Sequence, residues 1–162
     1  MAGRDIPKMI GVWSTQYGDE AKGTMVYWLA ERLAEKGVTF VIRPNGGRNA
    51  GHRIMDKYGR ELVFNALPCG LAVDGVVSGM GRGQVFLPSG LVAEMQGLRN
   101  QGIEITPKTL LISGAVSLTF PHHLRLEEAR EEEMDGKGTT KKGISQTYSS
   151  LYSYQGIRLC YI

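Results

Sequence analysis

The chain has 162 residues, of which 42% are hydrophobic and 22% are charged, a composition typical of a folded domain and unlike that of disordered or fibrous proteins. This length suits one domain with an adequate core, so we expect residues 1–162 to form a single domain. The net charge of +3 is spread without a run of five like charges, and no apolar stretch approaches ~18 residues, so neither nucleic-acid binding nor membrane association is predicted.

The first predicted unit is a strand, a loop, a helix and a second strand. The apolar run MIGVW, residues 9–13, predicts a buried strand. From Val26, apolar residues recur at i, i+3, i+4 and i+7, which predicts a helix that ends at Gly37. The run VTFVIR, residues 38–43, predicts the next strand. Strand, helix and strand in this order indicate an α/β fold with a parallel sheet.

Two glycine-containing loops follow the two strands. The first is QYGDEAKGT, residues 16–24, and the second is PNGGRNAGHR, residues 44–53. Ligands bind at the carboxyl ends of parallel strands, so we expect the two loops to converge. In the first loop, Asp19 and Lys22 offer opposite charges beside glycines that permit close backbone approach, which suits a phosphate and its metal ion. The alternative for these nine residues is a solvated turn.

The middle of the chain predicts a hairpin, a strand and a helix. The hairpin turns at residues 57–59. The segment VDGVVSGMGRGQVFL, residues 73–87, predicts a strand broken by its glycines. An amphipathic helix follows, with Pro88 near its start and Gly102 just past its end.

The last third predicts a strand, a charged helix and a loop. The run TLLIS, residues 109–113, is typical of a strand. Residues 123–137, HLRLEEAREEEMDGK, predict a charged helix whose glutamates form a solvated face. The polar, glycine-rich segment DGKGTTKKGISQTYSS, residues 135–150, predicts a loop.

The residue types in these loops predict a phosphate-binding site. The order Lys22-Gly23-Thr24 is not that of a P-loop, yet it combines the same kinds of group: glycine, lysine and a hydroxyl at a helix start. His52, in the second glycine loop, can donate a proton near neutral pH, whereas His122 and His123 follow Pro121 at a helix start and are expected to be structural.

Neither cysteine is predicted to be functional. Cys69 and Cys160 have no metal-binding spacing and no nearby base, so a disulfide scaffold, a zinc site and a thiol nucleophile are not indicated. This usage fits a cytoplasmic protein. The residues alone therefore predict a phosphate-handling α/β domain with Asp19, Lys22 and His52 as candidate site residues.

Three segments together resemble the signature segments of the adenylosuccinate synthetase family. They are TQYGDEAKGT, RPNGGRNAGH and GTTKKGISQTYSS, in the family's order and at similar separations. The resemblance runs from about residue 9 to about residue 158. It implies the N-terminal portion of the P-loop NTPase-like fold of that family, so that residues 1–162 form a single, incomplete nucleotide-binding domain.

The resemblance also implies a reaction and its participants. The family joins L-aspartate to IMP with GTP and Mg²⁺ to give adenylosuccinate, first phosphorylating the purine 6-oxygen. By resemblance, Asp19 is the proton acceptor and a magnesium ligand, with the Gly51 carbonyl as a second ligand, and His52 is the proton donor. The implied GTP-binding residues are Gly18, Asp19, Glu20, Ala21, Lys22, Gly23, Thr24, Gly51, His52 and Arg53. The implied IMP-binding residues are Asp19, Glu20, Ala21, Lys22, Asn49, Ala50, Gly51, His52 and Thr140.

Several positions depart from the family pattern. Ala21 and Thr24 replace a usual glycine and lysine, and Arg48 and Arg53 replace asparagine and threonine. Tyr154 stands where the family has an arginine that reaches the IMP phosphate of the partner subunit.

Three functions follow from the resemblance and its departures. The first is an adenylosuccinate synthetase, homodimeric in the family. The second is a non-catalytic purine-nucleotide-binding module, or a subunit that pairs with a complementing chain. The third is the phage-type synthetase acting on dGMP, which Asp19 disfavours because those relatives have a small residue there.

Overall fold

A parallel sheet lies at the centre of the fold. The structure is a computed structural model that describes residues 9–15, 18, 20–37, 40–133 and 140–162. The helices are α1 (Lys22–Ala34), α2 (Pro88–Asn100), α3 (Pro121–Glu133) and α4 (Ile144–Tyr152). The strands are β1 (Phe40–Gly46), β2 (His52–Met55), β3 (Glu61–Phe64), β4 (Val77–Phe86), β5 (Leu110–Ile112) and β6 (Ser117–Leu118).

Strand β4 organises the sheet, since it pairs in parallel with β1, β5 and β6. The β1–β4 register runs from Phe40 opposite Val77 to Gly46 opposite Gln84, with an irregularity between Arg43 and Asn45. The hairpin of β2 and β3 forms a separate antiparallel pair. The predicted α/β class with a mostly parallel sheet is therefore confirmed.

The apolar core lies between the sheet, the hairpin and helices α1 and α2. Leu62 and Phe64 have no exposed surface, because alternation along β3 directs these two side chains inward and Glu61 and Val63 outward. Leu67, in the segment after β3, is also fully buried. Helix α1 contributes Tyr27 and Ala30. Among the described residues, no helix has both the length and the apolar character that crossing a membrane requires.

The sequence predicted several elements correctly. Helix α1 ends before Gly37, whose φ is +92°, and the hairpin turns at residues 57–59. Helix α2 begins at Pro88, and Gly102 follows its end with φ +83°. Strand β5 lies where it was predicted, and α3 overlaps the helix predicted for residues 123–137, of which 134–137 lie outside the described residues.

The predicted first strand is wrong. Residues 9–13 form no strand, and Met9 and Trp13 are 88% and 78% exposed. An apolar run becomes a strand only where a neighbouring strand accepts its backbone hydrogen bonds. The second strand is shifted: it extends through Pro44, Asn45 and Gly46, which the sequence assigned to a loop, while Val38 and Thr39 lie outside the described residues.

Glycines do not break β4, contrary to prediction. Its ten residues are continuous, and a Cβ atom at Gly81 would lie 2.8 Å from the Pro44 Cα of β1. Glycine is therefore needed at this position for close packing of two strands, and it does not interrupt the ladder.

The last two corrections concern α3 and α4. The glutamates of α3 are not all solvated, since Glu127 is buried and accepts a 2.6 Å hydrogen bond from the Gly143 N–H. The predicted loop of residues 135–150 is wrong from residue 144 onward, where α4 begins. The hydroxyl-rich sequence obscured a helical spacing of Ile144, Tyr148 and Leu151, whose side chains are at least partly buried.

Candidate functional site

Charged side chains hold the described part of the first loop. Glu20 accepts a 2.9 Å hydrogen bond from the Thr15 N–H through Oε1 and pairs with the Lys22 Nζ at 3.1 Å through Oε2. Gly18 has φ +127°, a conformation that favours glycine. Ala21 precedes α1 in the left-handed region, at φ +53°. Glu20, Lys22 and the amino end of α1 thus lie within a few residues of each other.

The first turn of α1 packs directly on the second loop. A Cβ atom at Gly23 would lie 2.8 Å from the His52 Nδ1, so only glycine permits this approach. One residue later, the Thr24 Oγ1 donates a 3.2 Å hydrogen bond to the Arg53 carbonyl. The predicted convergence of the two loops is therefore confirmed for the described residues.

His52 is half-buried beside two cations. Burial, and then the positive charges of Arg43 and Lys22, lower the pKa of His52 from its ordinary value. Each cause disfavours the charged imidazolium. The neutral ring is therefore the dominant form near neutral pH. It can donate one N–H hydrogen bond to an anion, whose negative charge would offset the positive charges of Arg43 and Lys22.

Two side chains hold the start of the second loop. The Arg43 guanidinium donates to the Gly47 carbonyl at 3.0 Å and to the Asn65 carbonyl. The Tyr148 hydroxyl accepts from the Gly46 N–H at 2.9 Å and donates to the Gly83 carbonyl at 2.6 Å. Sequence reasoning missed both anchors, although the helical spacing around Tyr148 was a signal for α4.

A buried carboxylate fixes the segment that follows β3. Glu94 of α2 accepts hydrogen bonds from the N–H groups of Asn65, Ala66 and Leu67 at 2.8 to 3.1 Å. Its Oε2 also lies 3.7 Å from the Arg48 Nε of the second loop. Since Arg43 bonds the Asn65 carbonyl, the second loop and this segment brace each other.

The other predicted site residues are more open. Asn49 and Gly51 are exposed and Ala50 is half-buried, and a Cβ atom at Gly51 would meet nothing within 4 Å. Thr140 is exposed and precedes α4 by four residues. Asp19, the predicted proton acceptor and magnesium ligand, lies outside the described residues. Within the described ranges, no group of three or more His, Cys, Asp or Glu side chains is arranged to hold a metal ion.

The remaining histidines and cysteines stay apart from the loops. His123 is buried, accepts from the Phe120 N–H at 2.9 Å through Nδ1 and contacts the Ser150 Oγ at 3.2 Å through Nε2, which confirms its predicted structural role. Both cysteines are free. Burial raises the pKa of the Cys69 thiol to about 12, so this thiol is not a nucleophile at neutral pH.

The chain is similar to known proteins along nearly its whole length. The family model for adenylosuccinate synthetase matches residues 11–162. The adenylosuccinate synthetase of Symbiobacterium thermophilum is 37% identical over 153 residues, which cover 93% of this chain and 34% of the bacterial protein. The structure of fully ligated adenylosuccinate synthetase from Plasmodium falciparum matches with a TM-score of 0.75 and 31% identity, over 90% of this chain and 33% of that one.

A phage enzyme shares the fold. Succinoaminodeoxyadenylate synthetase of cyanophage S-2L, bound to dGMP and to dATP as an energy donor, matches with a TM-score of 0.63 over 85% of this chain and 36% of the phage chain. At 21% identity, this is a likeness of fold alone.

Fold and sequence together define an α/β protein with a mostly parallel sheet. The chain belongs to the adenylosuccinate synthetase family, whose members are ligases of purine biosynthesis. It spans about a third of the length of the relatives it matches.

Proposed function

We propose that residues 1–162 form one nucleotide-binding domain of an adenylosuccinate synthetase that joins L-aspartate to IMP at the expense of GTP. Membership of the family supports this reaction, and the packing of His52 against the first turn of α1 is the observation that carries it. That contact brings a glycine-flanked lysine loop and a histidine loop to one place. Such an arrangement suits the transfer of a phosphoryl group from one nucleotide to another.

Each loop has a role in this proposal. Residues Gly18 to Thr24 and Gly51 to Arg53 surround the GTP phosphates, while Asn49 to His52 and Thr140 hold IMP. Backbone N–H groups at the start of α1 and the Lys22 ammonium offset phosphate charge. The neutral His52 ring donates its N–H to the transferring phosphoryl group, and the approach of that group favours the charged form of the ring.

Asp19 acts on the purine in this proposal. The 6-oxygen of IMP becomes a competent nucleophile once N1 loses its proton, and a carboxylate at position 19 accepts that proton. The aspartate amine then displaces phosphate from C6.

Magnesium fits the oxygen donors that the resemblance assigns to it. A carboxylate and a backbone carbonyl, from Asp19 and Gly51, are the hard ligands that this ion takes beside water and phosphate. The exposed position of Gly51, with open space on its Cα, leaves its backbone accessible. When bound, the ion neutralises charge on the GTP phosphates. A cytoplasmic location and a homodimer, or pairing with a complementing chain, belong to the same proposal.

A purine-nucleotide-binding module without catalysis is the second candidate. One observation favours it: Ala21 places a methyl group and a left-handed backbone at the phosphate loop. Substrate binding then occurs without turnover.

Formation of the succinyl adduct distinguishes the two candidates. Purified chain is incubated with IMP, L-aspartate, GTP and Mg²⁺, and adenylosuccinate is measured by its absorbance and by mass. Turnover that falls ~100 to 10,000-fold in Asp19→Asn and His52→Asn, the usual effect of removing a positioned acid or base, supports the synthetase. His122→Asn is the matched control, because His122 is an exposed histidine on α3. Nucleotide binding without formation of adenylosuccinate supports the binding module. The absence of both nucleotide binding and adenylosuccinate would contradict both candidates.

A further inference from the structure

The Tyr148 hydroxyl joins three segments that are far apart in sequence. It accepts the Gly46 N–H at 2.9 Å and donates to the Gly83 carbonyl at 2.6 Å. Gly46 ends β1, Gly83 lies within β4 and Tyr148 lies on α4. One phenolic oxygen therefore serves as acceptor and donor at once, between β1 and β4.

Helix α4 also presses on the next residue of the second loop. A Cβ atom at Gly47 would lie 2.8 Å from the Val85 carbonyl and would clash with the Ile144 side chain. Gly47 is buried. The loop therefore begins in a slot between α4 and β4, and Tyr148 closes that slot with hydrogen bonds.

The amino end of α4 is itself fixed. Gly143 donates to buried Glu127 at 2.6 Å, and the Thr147 Oγ1 lies 2.9 Å from the Thr119 Oγ1. Thr140 lies three residues before Gly143. A rigid α4 thus connects the segment that carries Thr140 to the loop that carries Asn49 and His52.

We propose that Tyr148 is a positioning residue: its hydroxyl sets the loop of residues 47–52 relative to the Thr140 segment, and thereby fixes the shape of the nucleotide site. The hydroxyl itself touches no substrate in this proposal. Its effect on nucleotide affinity rests on the proposed function, whereas its effect on the loop does not.

Amide hydrogen exchange of Tyr148→Phe tests the effect on the loop. Removing only the hydroxyl removes its hydrogen bond with the Gly46 N–H, and the loss of one hydrogen bond corresponds to about tenfold faster exchange by local opening. We expect this acceleration at Gly46 and through residues 47–52, with unchanged exchange in α2. Tyr152→Phe is the matched control, because Tyr152 is an exposed tyrosine of the same helix.

Calorimetric titration with IMP tests the effect on the site. At a temperature where parent and variant are both folded, we expect Tyr148→Phe to weaken IMP binding about tenfold and Tyr152→Phe to leave it unchanged. A lower melting temperature with unchanged loop exchange and unchanged IMP affinity would show a merely structural hydroxyl and overturn the proposal.

Two further outcomes are decided by exchange alone. If the parent binds neither IMP nor GTP, the proposed function fails, and exchange of residues 46–52 still decides the role of Tyr148. If Tyr148→Phe does not fold, exchange in the parent decides it: the Gly46 amide is expected to open together with α4. A Gly46 amide that exchanges like a free amide in the parent overturns the anchoring role.

Discussion

Ala21 combines a side chain with a backbone conformation that ordinarily belongs to glycine. Its φ of +53° places it in the left-handed region immediately before α1, where no side chain caps the helix. For residues with a Cβ, this region is less favourable by roughly 1 to 2 kcal/mol. The family pattern has glycine here, so the sequence suggested an obstructed phosphate loop, and the structure adds backbone strain at the same residue.

Ala21→Gly is therefore expected to stabilise the chain. The gain in unfolding free energy should be about 1 kcal/mol, since relief of strain exceeds the added flexibility of the unfolded glycine. Urea denaturation measures it. Ala93→Gly, on an exposed position of α2, should destabilise by roughly 1 kcal/mol as in any helix interior. An equal decrease in unfolding free energy in Ala21→Gly and Ala93→Gly would contradict the backbone strain that we assign to Ala21.

The lowered pKa of His52 predicts a pH dependence of stability. The folded chain binds a proton at His52 less readily than the unfolded chain, so stability is present above about pH 6.5 and declines as the pH falls below it. His123 has the same sign, because burial lowers its pKa. Unfolding free energies measured from about pH 7.5 down to about pH 5 should fall in the parent.

Substitution separates the contribution of His52. His52→Gln should flatten part of the decline; the remainder belongs to His123, whose pKa is lowered by burial and then by the neighbouring charge of His122. An identical pH profile in the parent and in His52→Gln would contradict the burial and charge that we assign to this ring.

At the scale of elements, α4 depends on a carboxylate from α3. Glu127 is buried and bonds the Gly143 N–H at the amino end of α4, where negative charge is favourable. Glu127→Ala should lower the unfolding free energy by about 1 to 3 kcal/mol, because the buried N–H loses its partner. Glu128→Ala, its exposed neighbour, should change it by less than about 0.5 kcal/mol. Equal effects of the two variants in thermal or urea unfolding would contradict the capping role.

Elements with a strong local signal were predictable from the sequence. Helices α1 and α2 have apolar periodicity with glycine after their ends, and the hairpin has a polar turn between alternating strands. Residues 9–13 have apolar composition but no strand partner among the described residues, and composition cannot supply one. Helix α4 was missed because serines and threonines dominate its sequence, and its stability comes from Glu127, Thr119 and Gly83, which are distant in sequence.

The candidate site was predictable in part, because its two glycine loops are a local signal in the sequence. Glycine in both loops predicted close backbone approach, and the packing of Gly23 on His52 agrees with their convergence. The anchors Arg43 and Tyr148 depend on hydrogen bonds to backbone groups 4 to 102 residues away. Such pairings carry no local pattern.

The molecule as a whole exposes much apolar surface. Large side chains with at least 40% of their surface exposed include Met9, Trp13, Trp28, Phe40, Ile42, Tyr152 and Ile162. Strand β1 has a described partner on one side only. Exposed apolar surface and strand edges favour association.

Concentration-dependent association is therefore expected. Sedimentation velocity should show species larger than 17.8 kDa that increase with protein concentration. Ile42→Lys should reduce them by placing a charge on the exposed part of β1, whereas Arg82→Lys, an exposed position on β4, should not. A monomer at every concentration would contradict this expectation.

Calorimetric titration with IMP and with Mg·GTP tests most directly whether the converging loops bind purine nucleotides. We predict binding of both nucleotides, because the loop that carries Lys22 and the loop that carries His52 lie together at the start of α1. Binding should weaken in His52→Asn and stay unchanged in His122→Asn. Absence of binding heat for both nucleotides, or equal affinity in the parent and in His52→Asn, would contradict the account.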